Sequence, residues 1–108
     1  MNNNFKMKYL TGGDDLFGPN MGAAVVNTTV RKGYLAECPN VGKFLTNLVF
    51  SLDMENEIMG SILNDGTDPA VAAKAWLVKH PDVIAPWLAG VTTKDGGDAT
   101  AAVMAALK

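Results

Sequence analysis

Apolar and polar residues alternate with period two near the start of the chain. Phe5, Met7 and Tyr9 are separated by Lys6 and Lys8, within residues 5–10. That spacing predicts a strand with one buried face. Thr11-Gly12-Gly13-Asp14-Asp15 interrupts it with two glycines and two aspartates, a turn signal. Residues 16–22, with Gly18, Pro19 and Gly22, read as a loop. Residues 23–30, Ala-Ala-Val-Val-Asn-Thr-Thr-Val, are rich in β-branched side chains and uncharged. They predict a second strand.

From about residue 32 the pattern becomes helical. Residues 33–37 allow one or two turns, ended at Cys38-Pro39 because proline disfavours helix at the residue before it. Asn40 is placed as the N-cap of a helix to about residue 50. Val41, Phe44, Leu45, Leu48 and Val49 give that helix a single apolar face. Ser51 or Asp53 caps the next helix, whose inner stripe is Met54, Ile58, Ile62 and Leu63. Asn64-Asp65-Gly66 stops it. Asp68-Pro69 is an N-cap followed by proline at the first helical position. The helix it opens runs to about Lys79 and buries Ala72, Ala73, Trp76 and Leu77. His80-Pro81 ends that helix and opens a short one through Trp87 and Leu88, shortened or bent by Pro86. Gly96-Gly97-Asp98 introduces an Ala-rich helix over residues 99–107. Residues 92–97 read as linker, and no internal repeat is visible. The expected architecture is an α-rich α+β domain, two strands followed by about five helices.

Composition narrows the classes. The 108 residues are 48% hydrophobic and 19% charged, so this is no disordered tail. The length fits one domain. Nine Lys and Arg against eleven Asp and Glu give a net charge of −2, which argues against a nucleic-acid partner. The single cysteine, Cys38, excludes an internal disulfide and a Cys-rich zinc site. No apolar run reaches the roughly 18–20 residues needed to cross a bilayer. Met1-Asn2-Asn3-Asn4-Phe5-Lys6 has no apolar h-region, so no signal peptide is expected.

Each candidate for chemistry has a plainer alternative. Gly12-Gly13-Asp14-Asp15-Leu16-Phe17 looks like the GG(D/E)EF signature that diguanylate cyclases carry on a hairpin. Only eleven residues precede it, and metal-dependent phosphoryl transfer needs carboxylates fixed on a supporting scaffold. An acidic turn is the better reading. Tyr9, Tyr34, Trp76 and Trp87 are the raw material for an aromatic cage around a quaternary ammonium ion. However, both tryptophans fall on apolar helix stripes, where core packing accounts for them. His80 has no second imidazole to share a metal with, and fits a helix terminus. Cys38 at a helix start is a reactive thiol, a small buried residue, or half of a disulfide to a segment not present here. Asp53, Glu55 and Glu57 fan around their helix and do not converge. No Walker loop, Gly-x-Gly-x-x-Gly, His-Glu-x-x-His or Gly-x-Ser-x-Gly occurs. No catalytic, metal or cofactor site is therefore assigned, and the chain is not read as an enzyme.

The order of pieces resembles a known family. Cys38-Pro39-Asn40-Val41-Gly42-Lys43-Phe44-Leu45 is followed by Asn64-Asp65-Gly66, then Ala73-Lys74-Ala75-Trp76-Leu77, His80-Pro81 and Trp87-Leu88. This resembles the C-terminal portion of substrate-binding proteins of ABC importers for glycine betaine, choline and proline. The resemblance spans Met1 to about Val91. It implies a periplasmic-binding-protein fold of two α/β lobes that close on their ligand about a hinge. Residues 1–32 would then be the hinge and strand region, and residues 33–108 the helical region of the first lobe. It implies a quaternary amine as solute, an ABC permease as partner and an extracytoplasmic, periplasmic location. The family's cage aromatics match no position here and would lie upstream, so no ligand-binding residue is carried over.

Strands and helices without their neighbours leave unpaired edges and apolar faces. Self-association is therefore expected, by strand pairing or exchange between two copies. The leading reading is a fragment of a solute-binding component for osmoprotectants. The runner-up is a helical self-association module that binds no solute. A signalling-enzyme remnant built on residues 12–17 is the weakest.

Overall fold

Short-range signals place most of the helices. The computed structural model describes residues 7, 8 and 10–108, without the side chains of Asn20 and Met21. Ser51 accepts from the backbone N–H of Met54 and opens a helix over Leu52–Asp65. Asp68 accepts from Ala70 and Val71, with Pro69 at the first helical position, and opens Pro69–Lys79. Asp98 accepts from Thr100 and Ala101 and opens Ala99–Leu107. Such caps satisfy N–H groups that have no partner within the helix. Gly66 ends its helix in the left-handed conformation, with φ 65°, which costs glycine nothing.

In chain order the helices are α1 (Asp14–Phe17), α2 (Pro19–Gly22), α3 (Tyr34–Glu37), α4 (Pro39–Asn47), α5 (Leu52–Asp65), α6 (Pro69–Lys79), α7 (Ile84–Trp87) and α8 (Ala99–Leu107). A 3₁₀ turn, Pro81–Val83, leads into α7. The chain divides into two units, Met1–Val30 and Arg31–Lys108. In the first, α1 and α2 are single turns punctuated by Gly18, and Val25 and Val26 stand more than four-fifths exposed.

The second unit packs α3 on α4, α5 on α6, and α7 and α8 beside α4 and α6. Gly42 lets α3 and α4 approach closely, since a Cβ there would lie 3.1 Å from the Leu35 backbone. The best-buried apolar residues are Ile84, Ala72, Ala99 and Met54. No described side chain is less than 2% exposed. The helical layers are in place, and the core between them and their surroundings is only partly closed.

Several expectations need correction. Residues 23–30 form no strand. Among the described residues there is no ladder at all, only an isolated antiparallel bridge between Thr92 and Asp98. β-Branched composition supplies the preference for a pleated surface but not the neighbouring strand that makes one. Most of the strand expected at residues 5–10 lies outside the described residues, and Met7, Lys8 and Leu10 are unpaired. The segment Gly12 to Phe17 is no hairpin turn, because Asp14 to Phe17 close a helical turn. Asn40 is not the N-cap of α4. Cys38 holds that position and Pro39 starts the helix, as its fixed φ favours. The same helix ends at Asn47, not near residue 50. Leu63 is 56% exposed, outside the inner stripe assigned to it. Residues 92–97 are a tight turn, tied by Thr93 N to the Gly97 carbonyl at 3.0 Å and Gly97 N to Thr93 Oγ1 at 2.8 Å.

Candidate functional site

An apolar groove opens in the second unit. It has a volume of about 690 Å³ and runs between α4, α7 and α8. Phe44 and Leu48 line it from α4, Ile84 and Trp87 from α7, and Ala102 and Val103 from α8. Residues 91–94 form one rim, and Lys94 is the charged residue of the lining.

Polar side chains brace the walls from behind. Asn47, last residue of α4, donates through Nδ2 to the carbonyls of Trp87 at 3.2 Å and Ala89 at 2.9 Å. Trp87 donates from Nε1 to the Val49 carbonyl at 3.1 Å, and Phe50 meets its ring edge-on at a centroid distance of 5.6 Å. Asn40 clamps the rim: its Nδ2 donates to the Thr92 carbonyl at 2.7 Å, and its Oδ1 accepts from Thr92 N at 2.9 Å. The side-chain amide thus pairs with Thr92 as a neighbouring strand would.

A second, smaller concavity of about 380 Å³ lies between α5 and α6. Glu57 is its organising residue. Its Oε2 accepts from Trp76 Nε1 at 2.6 Å and lies 3.4 Å from His80 Nε2. Trp76 and His80 stack with centroids 4.3 Å apart. These two residues sit one helical turn apart, so a single carboxylate on α5 holds both.

The candidate aromatics do not converge. Trp87 lines the large groove and Trp76 the small one. Tyr34 lies beneath the Arg31 guanidinium, 5.5 Å from its ring centroid. Tyr9 lies outside the described residues. A cage for a cationic head needs several faces around one point, and the three described candidates, Tyr34, Trp76 and Trp87, sit in separate places. Asp53 and Glu55 occupy the first turn of α5, where carboxylates favour the positive helix end. Cys38 is unpaired and half-buried at the start of α4. The described residues bring no three metal-ligating groups together.

One ion pair shifts its members. Arg31 donates to both carboxylate oxygens of Glu37. The hydrogen bond to Arg31 lowers the Glu37 pKa, and the same bond raises that of Arg31. The sequence pattern did not reveal the Asn40, Asn47 and Glu57 contacts. Their partners lie 19 to 52 residues away, so no local spacing signals them.

The geometry therefore offers an apolar seat with braced walls rather than a polar reaction centre. Comparison with known proteins gives this seat a context. Residues 1–79 match the family model for the substrate-binding domain of ABC-type glycine betaine transport systems. The chain is 34% identical over 94 residues to the glycine betaine/carnitine transport binding protein GbuC of Listeria monocytogenes, covering 87% of this chain and 30% of that protein. It is 68% identical to an ABC-transporter choline binding protein solved in complex with choline, with a TM-score of 0.88 over 100% of this chain and 37% of that one. The unliganded, semi-closed form of a choline binding protein matches with a TM-score of 0.78 over 98% of this chain, also at 68% identity. The chain thus spans about a third of the length of these relatives. Its helices are a portion of the periplasmic-binding-protein-like fold, and the chain belongs to the substrate-binding domain family of ABC-type glycine betaine transport systems.

Proposed function

We propose that this chain is the C-terminal portion of the solute-binding component of an ABC importer for quaternary amines, with choline as the preferred solute. The carrying observation is the match of the entire chain, at 68% identity and a TM-score of 0.88, to a choline binding protein. The identity to the glycine betaine/carnitine binder is half as high, which favours choline over betaine. The role is capture and delivery without chemistry. Aromatic faces hold the cationic head, two lobes close on it, and the closed form docks on a membrane permease. Residues 1–32 would serve as the hinge region and residues 33–108 as the helical cover of the first lobe. The cage residues would belong to the part of the fold that precedes this segment. A periplasmic or other extracytoplasmic site follows from that role.

A chimera tests this. The matched 37% of the choline binding protein is replaced by this chain. Calorimetry is expected to give a choline dissociation constant within about tenfold of the parent's, a difference of about 1.4 kcal/mol. A folded chimera that ignores choline would overturn the assignment. The exposed groove favours a second reading, a helical module that associates with itself and binds no solute. That reading requires a non-binding chimera together with a dimeric free chain in light scattering.

A further inference from the structure

We infer that the concavity between α5 and α6 is a binding site for a small zwitterion, a free α-amino acid with an apolar side chain. It shares no lining residue with the groove between α4, α7 and α8, and it does not rest on the solute assignment above.

Opposite charges meet at this cavity without neutralising each other. Glu57 and Lys79 both line it, yet no ion pair joins them. Glu57 accepts from Trp76 Nε1 at 2.6 Å and lies 3.4 Å from His80 Nε2. Both contacts fall on Oε2, so Oε1 can accept from an ammonium group. Lys79 has no ion-pair partner among the described residues. A cavity of about 380 Å³ edged by both charges suits a compact ligand that carries both signs on one carbon.

The remaining lining is apolar. Ile58, Ala72, Ala75 and Trp76 form it, and Ala72 is only 4% exposed, so its floor belongs to the packed part of the unit. Small-molecule sites combine such a lining with a few polar groups that fix orientation. The acceptor is also held before a ligand arrives, because the stacked Trp76 and His80 grip the carboxylate by its other oxygen. Less ordering is then left for the moment of binding. An amine alone would meet the charge of Lys79 with nothing to offset it, and a carboxylate alone would meet that of Glu57. A quaternary ammonium carries no N–H to give to Oε1, so it lacks the charge-assisted hydrogen bond that a primary ammonium makes.

The test titrates L-leucine into the isotope-labelled 108-residue chain and follows it by NMR. The indole N–H of Trp76, assigned by its loss in Trp76→Phe, and the backbone amides of α5 and α6 are expected to shift saturably. The expected dissociation constant is on the order of 1 mM, as a few exposed contacts to so small a ligand allow. Isoamylamine, which lacks the carboxylate, and isocaproate, which lacks the amine, are each expected to bind about fivefold more weakly. Lys79→Gln is expected to weaken leucine to the level of isoamylamine while leaving isoamylamine no weaker. Glu57→Gln is expected to do the same relative to isocaproate. A merely structural role for either residue would weaken all three ligands together. Shifts that stay linear far beyond the expected constant would overturn the inference. So would equal binding of leucine and either analogue by the native chain, or saturable binding of choline at the same resonances.

Discussion

The side-chain amide of Asn40 forms a two-way hydrogen-bonded pair with the backbone of Thr92, donating to its carbonyl at 2.7 Å and accepting from its N–H at 2.9 Å. The two residues are 52 apart in sequence, and the pair holds the turn after α7 against the start of α4. Asn40→Ala is expected to destabilise the second unit by about 1–2 kcal/mol, from two net hydrogen bonds at an exposed site. Asn40→Asp is expected to cost at least as much at neutral pH, since a carboxylate would face the Thr92 carbonyl with no proton to donate. Urea unfolding of the two variants measures the difference.

Gly42 and Gly60 separate two effects of the same substitution. A Cβ at Gly42 would lie 3.1 Å from both Leu35 Cα and Leu35 Cδ2, whereas at Gly60 it would meet only Asn64 Nδ2 at 3.9 Å. Gly42→Ala is expected to cost about 1–2 kcal/mol, because overpacking outweighs the gain in helix propensity. Gly60→Ala is expected to stabilise by about 0.5–1 kcal/mol. Thermal melts of both, run in parallel, should move in opposite directions.

Glu57 holds Trp76 and His80 through one oxygen. Glu57→Gln keeps an acceptor for the indole N–H and loses the charge opposite His80. It is expected to cost under about 1 kcal/mol, as the groups are solvent-exposed. Glu57→Ala removes both contacts and is expected to cost about 0.5–1 kcal/mol more. The near-ultraviolet circular dichroism of Trp76, recorded with Trp87→Phe as background, is expected to change in the alanine variant and persist in the glutamine one.

The Arg31–Glu37 pair gives a pH dependence with a definite sign. Arg31 lowers the Glu37 pKa from its ordinary 4.5. The pair's contribution is therefore complete above that value and fades as pH falls through the lowered native one. Arg31→Gln is expected to return the Glu37 carboxyl titration, followed by NMR, towards 4.5. Both groups are exposed, so added salt is expected to shrink the shift in the native protein. A titration unchanged by the variant would assign the shift to another group.

The site was less legible in the sequence than the helices that build it. Asp68 was readable as a cap, Ser51 as one of two candidates with Asp53, and Asp98 as part of the turn that introduces the last helix, because their acceptors reach N–H groups only two or three residues ahead. Gly66 was readable as a stop for a similarly local reason. Asn40 carries the same composition signal as a cap, yet the neighbouring Pro39 took the helix start and freed its amide for Thr92. Trp76 and Trp87 look alike on their helix stripes, but one indole N–H meets a carboxylate and the other a backbone carbonyl.

By itself the sequence determined the helices over Leu52–Asp65, Pro69–Lys79 and Ala99–Leu107, and the order of motifs that marks the family. Those features rest on bonds within one helical turn and on an order that needs no folding to read. Tertiary structure decided that Val25 and Val26 remain unpaired, that residues 92–97 close as a turn, and that α4, α7 and α8 leave an apolar seat between them. Each depends on which distant residue arrives opposite. A β-branched run has no ladder until another strand lies beside it, and an apolar helix face stays exposed until something packs on it.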